Sequence, residues 1–231
     1  MAAHDQFIAE NVKRVCERVA QAAARCRRNA DEITVVAVSK TFPVELIKAA
    51  FEAGLRHFGE NRIQEWEAKK PRLAHLAATW HFIGHLQSNK ARRAVQLFHR
   101  IDSVDSIPLA QRLDAAAAET TKRLPVLIEV HVGNEASKSG VAESNFSALA
   151  ENILQQPQLE LRGLMTVPPY SDNPEETRPF FRKLRGLRDE LASQLRVTLP
   201  TLSMGMSHDF EVAIEEGATE IRVGTDIFGE R

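Results

Sequence analysis

The sequence predicts an α/β protein, a single (β/α)8 TIM barrel carrying an extra helix at its N-terminus. Three observations lead there. Eight short apolar runs alternate with helical patterns along 231 residues. Most of those runs are nearly continuous, as parallel strands covered on both faces tend to be. The length suits one barrel and no internal repeat or low-complexity linker interrupts it, so one domain over 1–231 is expected. An open doubly wound sheet is the competing architecture. No G-x-G-x-x-G follows the first strand to support it.

The elements follow in order. Over residues 1–29, Ile8, Val12, Val15, Val19 and Ala22 recur at helical spacing between polar residues, which predicts an amphipathic helix packed on the barrel. The predicted strands are 34–39 (TVVAVS), 56–59 (RHFG), 80–84 (WHFIG), 100–104 (RIDSV), 126–132 (VLIEVHV), 161–167 (LRGLMTV), 201–205 (TLSMG) and 220–224 (EIRVG). Between the first two, Pro43 opens a helix carrying Leu46, Ile47, Ala50 and Phe51, and Gly54 stops it. Asn173, Pro174, Glu175 and Glu176 supply a cap, a first-turn proline and early negative charge. The helix after them presents Phe180, Leu184, Leu187 and Leu191 as its apolar stripe. Phe210, Ala213 and Ile214 mark a further helix closed by Gly217. Residues 133–140 and 168–174 read as the mobile loops.

Composition excludes several classes. A net charge of −1 gives no general case for nucleic acid. No run of about 18 apolar residues exists to span a membrane. The polar opening MAAHDQF is not a secretory signal, so a cytoplasmic protein is expected. Cys16 and Cys26 lie too far apart on one helix to bridge and read as free, mostly buried thiols.

Chemistry-bearing residues cluster at predicted strand ends. Lys40 directly follows the first strand, where a barrel has its active face. Partial burial there would expose a neutral amine able to attack an aldehyde; alone, such a lysine reads more readily as a solvated residue opening a loop. Ser207 leads from the seventh strand into a helix, and Gly224-Thr225 ends the eighth. Loops after strands seven and eight are a recurrent phosphate site in barrels. Singly, Ser207 reads as an N-cap and Gly224 as a turn. Arg222 alternates with Ile221 and Val223, which turns it into the barrel, where an unpaired charge is costly. Its partner is either an internal carboxylate, Glu129 or Glu220, or the ring nitrogen of a ligand whose phosphate rests on Gly224.

These residues fall within longer motifs: VAVSKTFP at 36–43, HFGENRIQE at 57–65, WHFIGHLQSNK at 80–90, ASKSG at 136–140, GLMTV at 163–167, LSMGMSHDFEVAI at 202–214 and IRVGTDIFGER at 221–231. From about residue 33 to the end, the chain resembles the YggS/PROSC family of pyridoxal phosphate homeostasis proteins. The resemblance implies a barrel like the N-terminal domain of alanine racemase (fold type III), monomeric, with pyridoxal 5′-phosphate (PLP) held as a Schiff base on Lys40. It places the phosphate on Ser207, Gly224 and Thr225 and the pyridine nitrogen near Arg222, with Asn61 and Met165 lining the pocket. It implies a carrier or buffer of PLP without a defined turnover, with PLP-dependent apo-enzymes as partners. Phe42, His131 and His208 depart from the family pattern around the pocket.

A PLP-dependent amino-acid racemase is the alternative. A two-base racemase needs a second base opposite Lys40. In alanine racemase that base is a tyrosine from a partner's additional domain. Tyr170, the one tyrosine here, falls in a loop, and a chain ending at Arg231 is expected to have no such domain. An arginine at the ring nitrogen also disfavours a protonated ring. A barrel enzyme acting on a phosphorylated metabolite without PLP is a third reading. His81 and His85 do not share a helix face, so zinc is not expected, and His81 reads as a buried, hydrogen-bonded residue. The basic stretch 89–100, with Lys90, Arg92, Arg93 and Arg100, reads as a solvated helix face. Lys138 is a second candidate amine for an aldehyde.

Overall fold

The computed structural model describes residues 3–120, 123–133 and 140–230. Among them, eight parallel strands close into a ring: β1 (Thr34–Val38), β2 (His57–Glu60), β3 (Thr79–Phe82), β4 (Arg100–Val104), β5 (Leu124–His131), β7 (Leu159–Met165), β8 (Thr201–Met206) and β9 (Glu220–Val223). Sequential neighbours pair, β1 pairs β9, and β4 joins β5 through Ile101↔Val126 and Val104↔Ile128. All eight predicted strands are present, with no end shifted by more than two residues. A two-residue strand, β6 (Val141–Ala142), adds to Val130 and His131 of β5. It is too short to leave a pattern in the sequence.

Helices follow the strands and cover the ring: α2 (Val44–Glu52), α3 (Ile63–Leu73), α4 (Ala91–Leu97), α5 (Ile107–Ala118), α6 (Phe146–Leu154), α7 (Arg178–Leu195), α8 (Phe210–Glu215) and α9 (Thr225–Phe228). The core between ring and helices is aromatic on the α3 side. Trp66 stacks on Trp80 at 4.0 Å, Trp80 on Phe58 at 5.1 Å, and the Trp66 indole N–H donates to Leu97 O. Each such burial contributes roughly 1.5–3 kcal/mol. The N-terminal helix α1 (Ala3–Arg25) buries Ile8, Val12, Val15, Val19 and Ala22, as predicted.

Three local expectations are corrected. In α7 the buried stripe is Phe181, Leu184, Leu187 and Leu191, with Phe180 only half-buried. Asn173 caps a 3-10 turn, Pro174–Thr177, so α7 begins at Arg178 and its phase advances by one. Cys16 is exposed, because it lies off the α1 stripe, and Cys26 lies beyond the end of α1.

The nearly apolar strand runs conceal a polar barrel interior. At the N-terminal ends of the strands, His57 Nδ1 lies 3.0 Å from His81 Nε2, and His81 Nδ1 lies 2.8 Å from Asp102. Arg100 donates to Asp102 and, at 2.6 Å, to Glu220. Burial works to raise the Asp102 carboxyl, but Arg100 and His81 outweigh it and hold it down to about 2. His81, Asp102 and Glu220 approach as a metal site would, but Arg100 already supplies the compensating cation. Arg100, also counted in the basic stretch expected on a solvated face, is thus a mostly enclosed structural charge at the start of β4, where the strand was expected.

Candidate functional site

The site lies at the opposite, C-terminal ends of the strands, where loops leave the barrel. Lys40 sits two residues past β1, and the chain around it is held on both sides. Ser39 N–H donates to Gly59 O at 3.0 Å and Ser39 Oγ donates to Glu60 at 2.7 Å. Lys69, buried on α3, donates to Ser39 O and Glu60 at 2.9 Å each, and to Glu65 at 2.6 Å. Glu65 in turn accepts from Thr41 N–H. Thr41 takes a φ of 69°, a costly conformation for a β-branched residue. Burial pushes the Glu60 carboxyl up, and Lys69 opposes that shift. Sequence reading missed this Glu60–Lys69–Glu65 clamp. The i,i+4 spacing of Glu65 and Lys69 was its one visible signal.

Lys40 lines a cavity of about 270 Å³ with Asn61, Ile83, Gly84, His85, Glu129 and Val167. Lys40 and Asn61 are therefore together, as expected. Met165, at the end of β7, is fully buried and is not among the residues lining the cavity, which include Val167.

Ser207, Gly224 and Thr225 also converge. Ser207 Oγ accepts from Gly224 N–H at 3.2 Å and from Asp226 N–H at 3.5 Å. Ser207 is not an N-cap; Asp209 occupies that position before α8 and accepts from Met206 N–H at 2.7 Å. Gly224 has a φ of −116°, which any residue adopts. A Cβ there would meet its nearest atom, Val38 Cβ, at an ordinary 3.4 Å. Nothing in the protein demands glycine at 224, which packs beside Val38, two residues before Lys40.

Arg222 points into the barrel between these two parts. It donates to Ser203 Oγ at 2.8 Å and to Thr166 O at 2.7 Å. Of the two alternatives for its partner, the internal carboxylate is not what these two bonds reach: both go to neutral oxygens, and Glu220 is engaged by Arg100. Burial lowers the Arg222 guanidinium below its ordinary value, opposed by the charges of Glu220, Asp102, Glu129 and Asp209. Two of its five N–H groups serve Ser203 and Thr166.

The departures around the pocket have distinct fates. Phe42 is buried and stacks on Phe228 at 4.8 Å. His131 ends β5, half-buried. His208 is exposed, its ring 5.6 Å from that of Tyr170. His81 and His85 diverge, the first to the barrel interior and the second to the mouth beside Asp105. Lys138 and the rest of 134–139 lie outside the described residues.

The assembled site offers a half-buried amine, a guanidinium donor at the floor, and a hydroxyl-and-backbone cradle for an anion. Comparison with known proteins finds chains of similar sequence and fold. The family model "Alanine racemase, N-terminal domain" matches residues 8–231. A "Pyridoxal phosphate homeostasis protein" from Aquifex aeolicus is 48% identical over 222 residues, covering 96% of this chain and 97% of that protein. One of the same name from Pseudomonas aeruginosa is 45% identical over 224 residues, covering 97% and 96%. The solved structure of PipY from Synechococcus elongatus with PLP bound superposes with a TM-score of 0.82 at 41% identity, covering 91% of this chain and 100% of that one.

Proposed function

The chain belongs to the alanine racemase N-terminal domain family, and on that premise we propose that it binds PLP through Lys40 and serves PLP homeostasis as a carrier or buffer. Relatives similar over nearly their whole length carry the homeostasis name, and PipY has been solved with PLP bound. The observation that carries the proposal is the convergence of Ser207 on Gly224 beside Val38, two residues from Lys40. It brings an anion cradle and an amine to one mouth.

When bound, PLP supplies an aldehyde that condenses with a primary amine and a ring that can draw off electron density. The chain's residues divide the task. Lys40 offers the amine, held in place by the clamp on Ser39 and Thr41. Ser207, Gly224 and Thr225 hold the phosphate, the backbone donors favouring an anion. Arg222 donates toward the ring nitrogen and cannot accept a proton from it, being charged at ordinary pH. Asn61 borders the ring, and Met165 fills the core at the end of β7.

An arginine in that place withholds the pyridinium proton that fast carbanion chemistry uses, which supports binding without a defined catalytic turnover. In this reading the protein acts in the cytoplasm as a monomer, one unit over 1–231, with PLP-dependent apo-enzymes as recipients. The exposure of Thr225 and His85 at the mouth suits a cofactor that enters and leaves. Among the described residues no helix is long and apolar enough to cross a membrane.

The test is an equilibrium titration with PLP and with pyridoxal, followed by mixing of loaded protein with an apo-enzyme. Tight PLP binding, much weaker pyridoxal binding and activation of the apo-enzyme are expected. Equal affinity for the two ligands would refute the phosphate site. Racemisation of an amino acid at ordinary enzymatic rates would refute the carrier reading. Light scattering checks the monomer, and an obligate dimer overturns it.

A further inference from the structure

We propose that His85, oriented by Asp105, is the proton-transfer group through which PLP is attached to and released from Lys40. The proposal rests on the reading above and adds to it a residue that controls the rate of exchange.

The two side chains come from successive loops, after β3 and after β4. His85 Nδ1 lies 3.1 Å from Asp105 Oδ2; the histidine side chain is 59% exposed and the aspartate 15%. The loop that carries His85 is held firmly. A Cβ at Gly84 would fall 2.5 Å from the carbonyl oxygen of Asn61, so only glycine fits there. Ser103 Oγ donates to Gly84 O at 2.5 Å, and Leu86 on the other side is buried. The imidazole thus has a fixed base, and His85 lines the same cavity as Lys40.

Attachment of an aldehyde to a lysine expels water and involves no redox change. The nitrogen lone pair forms the bond to the carbonyl carbon, and the carbonyl π pair moves onto oxygen. The C–O bond then breaks as C=N forms, and both hydrogens of the neutral amine leave on the water oxygen. Release is the same sequence reversed. Attachment needs a group that takes a proton from nitrogen and gives it to oxygen, and release needs the same group to carry it from oxygen back to nitrogen. Imidazole suits that task near neutral pH. With Nδ1–H donated to Asp105, Nε2 is left to accept and return the proton. Arg222 cannot do this, since it only donates. Among the described residues, the charged and titratable groups around His85 are Asp105 beside it, Lys40 and Glu129 across the cavity, and Arg62 and Lys90 in the adjoining cavity.

The experiment compares wild type with His85→Gln, Asp105→Asn and Glu129→Gln. Loading is followed by stopped-flow absorbance on mixing with PLP. Release is followed with excess alkaline phosphatase to destroy freed PLP, both from about pH 5 to 8. A proton-transfer group accelerates both directions equally. His85→Gln should therefore slow loading and release together, by roughly 10²-fold, leaving their ratio nearly unchanged and removing the near-neutral pH dependence. Asp105→Asn should slow both less, and nitrogen NMR should show a changed His85 tautomer balance with or without PLP. Unchanged rates in His85→Gln overturn the proposal. So does a change in release alone, which would make His85 a binding contact, or loss of the pH dependence in Glu129→Gln only. A wild type that takes up no PLP instead overturns the functional reading beneath it.

Discussion

At Thr41 the backbone turns left-handed, a conformation costing a β-branched residue about 1–3 kcal/mol. The Glu65 carboxylate that accepts its N–H also binds Lys69, and Lys69 holds Ser39. The strain beside Lys40 is thus maintained by a buried charge cluster. Lys69→Met should cost about 3–5 kcal/mol, because it leaves Glu60 buried without its cation. Urea unfolding measures this, and the double variant Lys69→Met/Glu60→Gln should recover part of the loss. A cost below about 1 kcal/mol would mean that the cluster behaves as a surface pair. Across the mouth, Ser207→Ala removes the hydroxyl that organises Gly224 and Asp226. PLP affinity should fall by about 1.5–3 kcal/mol while pyridoxal affinity changes little. Calorimetric titration of both ligands decides; equal losses would place Ser207 outside the phosphate site.

The N-terminal helix α1 braces α8 and α9 from behind. Arg18 pairs with Asp226 at 2.5 Å and Glu211 at 2.8 Å, and Asn11 Nδ2 donates to Ile227 O at 3.0 Å. Ile8, fully buried under that helix, should cost about 2–5 kcal/mol as Ile8→Ala. Hydrogen exchange should quicken in α9 along with α1. Faster exchange confined to α1 would show that the two elements are not coupled. The α1 stripe was readable because one periodic face meets one surface, and the strands were readable because parallel β-runs are apolar and short. That Lys40, Ser207 and Gly224-Thr225 lie at one end of the barrel was readable for a related reason: strand ends follow from chain order. Contacts between distant segments were not. Nothing in the sequence pairs His85 with Asp105, separates Arg222 from Glu220, or distinguishes Arg100 from its exposed basic neighbours. The α7 phase slipped because a 3-10 turn and an α-turn share the same Asn-Pro signal.

Taken whole, the barrel has a charged interior at one end and an open mouth at the other, and pH should reach the two differently. Burial, followed by the nearby charges of His81 and Arg100, lowers His57 from 6.5 to about 4. Between those values the unfolded chain binds a proton that the folded chain refuses, so stability should fall as pH drops from about 6.5 to about 4. Asp102, held down to about 2, contributes stability that is present above its unfolded value and is lost on further acidification. A Tm profile of wild type against His57→Gln measures the first effect. The variant should show a shallower decline over that window, and an identical slope would contradict the assignment to His57. The mouth carries the functional claim. Its most direct test is borohydride reduction of the PLP-loaded protein, followed by peptide mapping. The cofactor should be fixed on the peptide containing Lys40. Label found mainly on Lys138 or Lys90 would contradict the account.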